Sequence, residues 1–214
     1  MSQFASKWTS NRGPGLGERV RDAVRSEAPL KPRIEHAVRQ IKLQVHKLDQ
    51  TESKLKDRDN SIFSKVVSSI QQHDMPHATV FANELAEVRK MNKLVTQAKL
   101  ALEQISLRLN TVSELGDVVV TLTPAMGVIK NVQEGVMSVL PEADHEISEI
   151  SGLLSGILVD AGQMGGHTIN FQSANEEAEQ IMGEASAVAE KRMKEKFPDL
   201  PSAIPESDPL SEGL

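Results

Sequence analysis

Apolar residues recur every seven positions in the first third of the chain, which predicts a long helix from Lys31 to about Gln72. One row of the repeat is aliphatic, and a companion row adds valines. The two rows are Ile34, Ile41, Leu48, Leu55 and Ile62, and Val38, Val45 and Val66. Glu52 and Asp59 interrupt the companion row, so the apolar seam of this helix is imperfect. Pro76 disfavours helical backbone at the residue before it, so we expect the helix to end in this region.

A second apolar run is more regular and predicts a helix from about His77 to Leu122. Its members step by three and four positions without a break, which is the heptad seam of a long helix. They are Val88, Met91, Val95, Ala98, Leu102, Ile105, Leu109 and Val112. Because only a short turn separates the two runs, we expect the helices to fold back as an antiparallel hairpin. At 1.5 Å per residue, each helix would reach ~60 Å.

Proline and glycine punctuate the rest of the chain, which predicts shorter helices near 125–139 and 142–160. A last helix is predicted from Ser173, where Ser173 and Glu176 form a possible capping box, to about Phe197. An extended tail with several prolines follows. The predicted fold class is all-α: a long antiparallel helical hairpin, then short hinged helices and a C-terminal helix with an extended tail.

This pattern divides the chain into five predicted regions. They are a flexible N-terminal segment over 1–29, a helical core over 30–160, a glycine-rich linker over 161–172, the C-terminal helix over 173–197 and the tail over 198–214.

Composition supports long helices rather than a compact globular core. Of the 214 residues, 39% are hydrophobic and only 3% are aromatic, which suits helices that bury a narrow aliphatic seam. The absence of cysteine excludes disulfides, thiolate metal sites and cysteine nucleophiles, and it favours an intracellular compartment. No apolar run approaches the ~20 residues that span a bilayer, and the start "MSQFASKWTS" lacks the apolar core of a signal peptide.

The sequence contains no pattern that argues for catalysis. It has no Walker loop, no Gly-x-Ser-x-Gly and no His-Glu-x-x-His. A di-iron bundle requires two Glu-x-x-His motifs, and only Glu142 and His145 have that spacing. We therefore expect a protein that is not an enzyme and holds no cofactor or metal. A helical-bundle metalloenzyme remains an alternative that metal analysis would test.

Charge is distributed unevenly behind a net charge of −6. Residues 1–100 carry 18 Lys and Arg against 11 Asp and Glu, a balance of +7, whereas residues 101–214 carry 6 against 19, a balance of −13. Such a split predicts that the first half meets an anionic surface while the second stays in solvent or covers the first. The alternative is two differently charged solvated faces. No nucleic-acid partner is expected, because aromatic stacking platforms are scarce and no reader motif appears.

Two groups of residues are candidates for membrane contact. Phe4 and Trp8 lie one helical turn apart beside Lys7, a combination that can enter a bilayer interface, although a disordered N-terminus is the alternative. The first long helix carries basic residues away from its seam, each worth ~1 kcal/mol near an anionic membrane. They are Arg39, Lys42, Lys47, Lys54 and Arg58. A solvated basic face is the competing interpretation of this second group.

Two stretches of the chain carry a family resemblance, "HATVFANELAEVRKMNKLVTQAKLALEQISLRLNTV" (77–112) and "TLTPAMGVIKNVQEGVMSVLPEADHEISEISGLL" (121–154). Together with the features above, they resemble the ESCRT-III (Snf7) family, and within it the shorter archaeal CdvB-type cell-division proteins without a winged-helix segment. It covers roughly residues 30–200 and consists of helix lengths, charge and hinge positions.

The resemblance implies a non-enzymatic protein that polymerises on anionic membrane and constricts membrane necks in cell division or vesicle budding. Its implied partners are further copies of itself, paralogous ESCRT-III subunits, anionic lipids, and a Vps4-like AAA ATPase, called CdvC in archaea. The implied location is the cytoplasm, with peripheral recruitment to the membrane at the division site. A coiled-coil scaffold that never touches a membrane is the alternative function.

The same resemblance assigns roles to the tail and to the hinges. The stretch "FPDLPSAIP" looks like a proline-containing motif that docks on the MIT domain of the ATPase, because proline pre-orders an extended strand. Its residues would be Phe197, Leu200, Pro201, Ile204 and Pro205. The acidic half is expected to fold against the basic hairpin and mask it. Three breaks in the helical pattern, at Gly116, Pro124 and Gly127, would let the downstream helices swing out or merge with the second long helix.

Overall fold

The computed structural model describes residues 30–112, 115–137, 139–141, 143–165 and 171–199, and these residues form helices without a strand. The helices are α1 (Leu30–Gln71), α2 (Met75–Asn110), α3 (Leu115–Met137), α4 (Ala143–Gly165) and α5 (Phe171–Lys196). The predicted all-α fold class is therefore confirmed. α1 packs along α2, and α3 pairs with α4. α4 also lies against α1, while α3 contacts α2 and α5 contacts both α2 and α3.

A three-residue turn reverses the chain between α1 and α2. His73 adopts φ 57°, in the left-handed region, and Asp74 caps α2 by accepting a hydrogen bond from the backbone N–H of His77 at 3.2 Å. Pro76 sits in the first turn of α2, where its missing N–H has no intrahelical role. The antiparallel hairpin is thus as predicted, with helices of 42 and 36 residues.

The second helix of the hairpin ends at Asn110, so its predicted extension to about Leu122 is wrong. The Thr111 hydroxyl donates to the carbonyl of Arg108 at 2.8 Å and helps to close the last turn. α3 then packs back onto α2, which buries Val118 and Leu122. The return of the chain onto α2 removes these apolar side chains from water, which favours the turn.

Three further boundaries differ from the predictions. α3 covers Leu115–Met137, where a helix was predicted near 125–139. α4 continues to Gly165, because each glycine in a helix costs only about 1 kcal/mol and the same helix buries Ile157 and Ala161. Part of the predicted linker is therefore helical. α5 begins at Phe171, so Ser173 lies inside the helix and the proposed capping box does not start it.

The buried side chains form two clusters along the hairpin. The larger joins the first half of α1 and the second half of α2 to α3, α4 and α5. The smaller lies nearer the turn, where only α1 and α2 contribute, and consists of Ile62, Val66, Ala82, Leu85 and Val88. The three downstream helices therefore complete the core at one end of the hairpin, and the other end is a two-helix rod.

Candidate functional site

The two acidic residues that interrupt the seam of α1 are buried charges, with Glu52 8% and Asp59 1% exposed. Asp59 accepts hydrogen bonds from Nε of Arg89 at 2.7 Å and from its Nη2 at 3.5 Å. Glu52 pairs with Lys99 of α2, and its other oxygen accepts from Nζ of Lys196 of α5 at 3.0 Å. A buried carboxylate requires such partners to offset its lost hydration. The interruptions in the seam are therefore the places where α1 is tied to α2 and α5.

Lys99 lies at the centre of this network, because it also donates to Asp49 at 2.8 Å. Burial alone would raise the pKa of Glu52, but hydrogen bonds from Lys99 and Lys196 outweigh it and hold that pKa below its usual value. Burial would lower the pKa of Lys99, but its bonds to Asp49 and Glu52 outweigh it and raise that pKa. Glu52 and Lys99 are consequently both charged around neutral pH.

The end of α5 is held on the hairpin by an aromatic contact next to the Lys196 pair. Phe197 is only 8% exposed, and its ring centroid lies 5.6 Å from the guanidinium carbon of Arg89. The same guanidinium lies 6.0 Å from the ring of Phe63, so it stands close to two aromatic rings. Arg89 thereby joins α5 to Asp59 and Phe63 of α1. The structure thus places Phe197, a predicted ATPase-binding residue, in a buried position on the hairpin.

Among the described residues, four further ion pairs attach the downstream helices to the hairpin. In each, the hairpin supplies the cation and the acidic half supplies the carboxylate, which agrees with the charge asymmetry of the sequence. Arg33–Asp160 and Lys47–Glu146 join α1 to α4, and Lys93–Glu190 and Arg108–Glu177 join α2 to α5. We call this conformation, with α4 and α5 packed on the hairpin, the closed arrangement.

The predicted membrane-contacting residues of α1 do not share one environment. Lys47 pairs with Glu146, and Arg58 pairs with Glu84 of α2 at 2.7 Å. The three other basic residues are exposed and form no ion pair with any residue that the structure describes. They are Arg39, Lys42 and Lys54. The masking expected from the sequence is therefore partial, because α4 and α5 engage other cations of the hairpin.

Sequence reasoning missed an exposed apolar residue within this basic surface. Leu43 is 58% exposed on α1, between Lys42 and the basic residues of the next turn. The sequence does contain an indication of this exposure, because Leu43 is an aliphatic residue outside the heptad seam of α1. The other candidates for membrane contact, Phe4, Lys7 and Trp8, lie outside the described residues.

The predicted hinge positions fall at the start and in the interior of α3. Gly116 is its second residue, and the helix continues without interruption through Pro124 and Gly127. A Cβ on Gly127 would lie 2.9 Å from Cβ of Ala178, so this glycine permits close approach of α3 and α5. The hinge role of these residues stays a prediction. The tail residues Leu200, Pro201, Ile204 and Pro205 lie outside the described part of the chain.

An open groove of ≈ 300 Å³ lies between α1, the connection that leads from α3 to α4, and the start of α4. It is mainly polar, with Lys47, Gln50, Thr51, Lys54 and Glu146 beside Leu140 and Ala143. Across the described residues, no group of three or more potential metal-ligating side chains is gathered together. Nor is any described helix both long and apolar enough to cross a membrane.

Comparison with known proteins gives relatives that include three proteins of Sulfolobus acidocaldarius. The chain is 42% identical to Cell division protein B1 over 179 residues, which cover 84% of each protein. It is 35% identical to Cell division protein B over 161 residues, covering 75% of this chain and 62% of that protein. It is 27% identical to Cell division protein B3 over 158 residues, covering 73% of this chain and 90% of that protein.

A scan against protein-family models gave no match, and a search of solved structures gave no significant match. The similarity to Cell division protein B1 extends over most of both chains. The all-helical fold of the described residues agrees with the fold that the family resemblance implied. The chain belongs to the CdvB-type, ESCRT-III family of cell-division proteins, which are structural proteins and not enzymes.

Proposed function

We propose that this protein polymerises on anionic membrane and constricts membrane necks during cell division or vesicle budding. In this proposal it acts in the cytoplasm and is recruited peripherally to the membrane at the division site. Copies of the same chain and paralogous subunits form the filament, and a Vps4-like AAA ATPase disassembles it. Membership of a cell-division family with several paralogues in one organism supports a shared assembly.

The observation that carries the proposal is the charged attachment of α4 and α5 to the hairpin. Their ion pairs join a basic hairpin to acidic helices, and most of the paired side chains are partly exposed. Exposed pairs contribute about 0–1 kcal/mol each, so these ion pairs are readily exchanged for other charged contacts. Release of α5 would uncover the surfaces of α2 and α3 that it now contacts, and these surfaces would then join neighbouring subunits.

The basic side chains of α1 supply the proposed membrane contact. Arg39 and Lys42 are exposed, and Lys47 would become available when Glu146 of α4 leaves. Several such residues together give attachment that weakens as salt screens the charges.

Sedimentation with phosphatidylglycerol vesicles over a salt series tests this proposal. Binding is expected to fall with rising salt and to be lost in a triple variant with Arg39→Glu, Lys42→Glu and Lys47→Glu. A control with Lys90→Glu, Lys130→Glu and Lys191→Glu changes net charge equally at exposed positions elsewhere, and it should retain most of the binding. The electrostatic contact would be refuted if binding does not change with salt and is not reduced in the Arg39, Lys42 and Lys47 triple variant. Failure of the wild type to sediment under every polymerising condition would instead favour a scaffold that does not bind membranes.

A further inference from the structure

The outward surface of α1 around Leu43 stays exposed in the closed arrangement. Leu43 is 58% exposed, and Arg39, Lys42, His46 and Lys47 around it are exposed as well. Residues three and four positions apart share one side of a helix, so Arg39 and Lys47 flank Leu43 along the helix axis. We call these five residues the Leu43 face.

Few acidic residues lie near the Leu43 face on α1. Asp49 pairs with Lys99 of α2, and Glu35, one turn before Arg39, is exposed and forms no ion pair among the described residues. Several ion pairs join α4 or α5 to the hairpin. Among the described residues, only the pair between Glu146 of α4 and Lys47 involves the Leu43 face, and Lys47 lies at the edge of that face. The face therefore keeps an excess of positive charge around a bare aliphatic side chain while α4 and α5 are in place.

We infer that the Leu43 face binds an anionic lipid surface in the closed arrangement, before α4 and α5 leave the hairpin. The inference rests on the proposed function and adds an order of events to it. Arg39 and Lys42 contact lipid phosphates, and Leu43 enters the boundary between headgroups and acyl chains. An exposed aliphatic residue ringed by cations matches this boundary, which is apolar on one side and anionic on the other.

This order of events differs from the masking that the sequence suggested. If the acidic helices covered the whole basic surface, recruitment would have to follow opening. Because α4 and α5 leave the Leu43 face uncovered, closed subunits collect on the membrane first. Opening then exposes assembly surfaces where the local concentration of subunits is already high.

A pair of leucine variants tests the apolar part of the inference. Leu43→Ser is expected to weaken binding to vesicles of phosphatidylcholine with phosphatidylglycerol by about tenfold, because it removes the apolar insertion. Leu107→Ser is the matched control, since Leu107 is 67% exposed on α2, and its binding should change by less than about twofold. Equal binding by Leu43→Ser and Leu107→Ser would overturn the role of Leu43.

Tethering tests the order of events, and the cysteine-free sequence makes it practical. Lys93→Cys with Glu190→Cys joins α2 to α5, and in a second protein Arg33→Cys with Asp160→Cys joins α1 to α4. A short bismaleimide closes each tether, and the same proteins without the reagent serve as controls. Both tethered proteins are expected to bind the anionic vesicles within about twofold of their untethered controls and to form no filaments.

The outcomes separate this inference from the function on which it rests. Tethered proteins that lose vesicle binding while their controls keep it would overturn the inference and leave the proposed function standing. Loss of binding in tethered and untethered proteins alike would overturn both. Equal binding to vesicles of phosphatidylcholine alone would refute the assignment to an anionic surface.

Discussion

At the scale of single residues, Asp59 shows how a charge in an apolar seam contributes to the fold. Its side chain is 1% exposed and bonded to Arg89, which is itself mostly buried. We expect Asp59→Ala to lower the free energy of unfolding by about 3 kcal/mol, because it leaves the guanidinium buried without its carboxylate. Chemical denaturation measures this difference. Asp57→Ala, at an exposed position of the same helix, should change stability by less than about 0.5 kcal/mol. Similar losses in the two variants would contradict the assigned role of Asp59.

Gly127 is the second residue whose role the structure makes testable. A methyl group there would lie 2.9 Å from Cβ of Ala178, and this atom cannot move without a shift of α5. Gly127→Ala should therefore lower the denaturation midpoint, even though alanine favours helix by about 1 kcal/mol over glycine. Gly152→Ala in α4 meets no atom within 4 Å and should raise the midpoint. A stabilising effect of both substitutions would show that α3 and α5 are not in close contact in solution.

At the scale of elements, the docking of the α5 end on the hairpin has a defined pH dependence. The pKa of Glu52 is lowered from 4.5 by Lys99 and Lys196, so its contribution is present above about pH 4.5 and is lost as pH falls through the folded value. The pKa of Lys99 is raised from 10.5, so the stability that Lys99 contributes is present below pH 10.5 and is lost only at higher pH. Stability from this network is thus constant near neutral pH.

The corresponding variant is Glu52→Gln, which removes the titrating group. Between about pH 5 and pH 3, the unfolding free energy of the wild type should fall more steeply than that of the variant. Denaturation curves at several pH values give both slopes. Parallel slopes would mean that Glu52 is not held ionised by Lys99 and Lys196.

The helical elements were largely predictable because heptad spacing and punctuation are local signals. Ile41 and Leu102 were assigned to the seams of the two long helices, and both are fully buried. The end of α2 was not predictable, because Asn110 to Val112 do not forbid helix. The chain turns there to bury Val118 and Leu122 against distant residues.

The candidate site was only partly visible in the sequence for the same reason. Glu52 and Asp59 could be recognised as interruptions of the seam, but their partners lie far along the chain: Lys99 and Lys196 for Glu52, and Arg89 for Asp59. Which cation meets which carboxylate depends on the register of α5 against the hairpin, and the sequence pattern does not encode that register. The exposed basic residues of α1 follow from helical periodicity alone, since they lie away from its seam.

At the scale of the whole molecule, the charge asymmetry of +7 and −13 corresponds to a basic hairpin joined to acidic helices by ion pairs.

The proposed ATPase would bind the tail beyond α5. Deletion of residues 198–214 should therefore weaken binding of an MIT domain without reducing sedimentation with anionic vesicles. Titration of the isolated MIT domain by calorimetry measures the first effect. Equal affinities of the full-length and truncated proteins would refute the tail motif.

Assembly on membrane is the central claim, and electron microscopy of the protein with vesicles tests it most directly. With vesicles that contain phosphatidylglycerol, we predict filaments or spirals on the surface and narrowed membrane necks. With vesicles of phosphatidylcholine alone, we predict bare and unchanged membranes. Dispersed protein beside smooth anionic vesicles, under conditions in which the protein polymerises alone, would contradict the account.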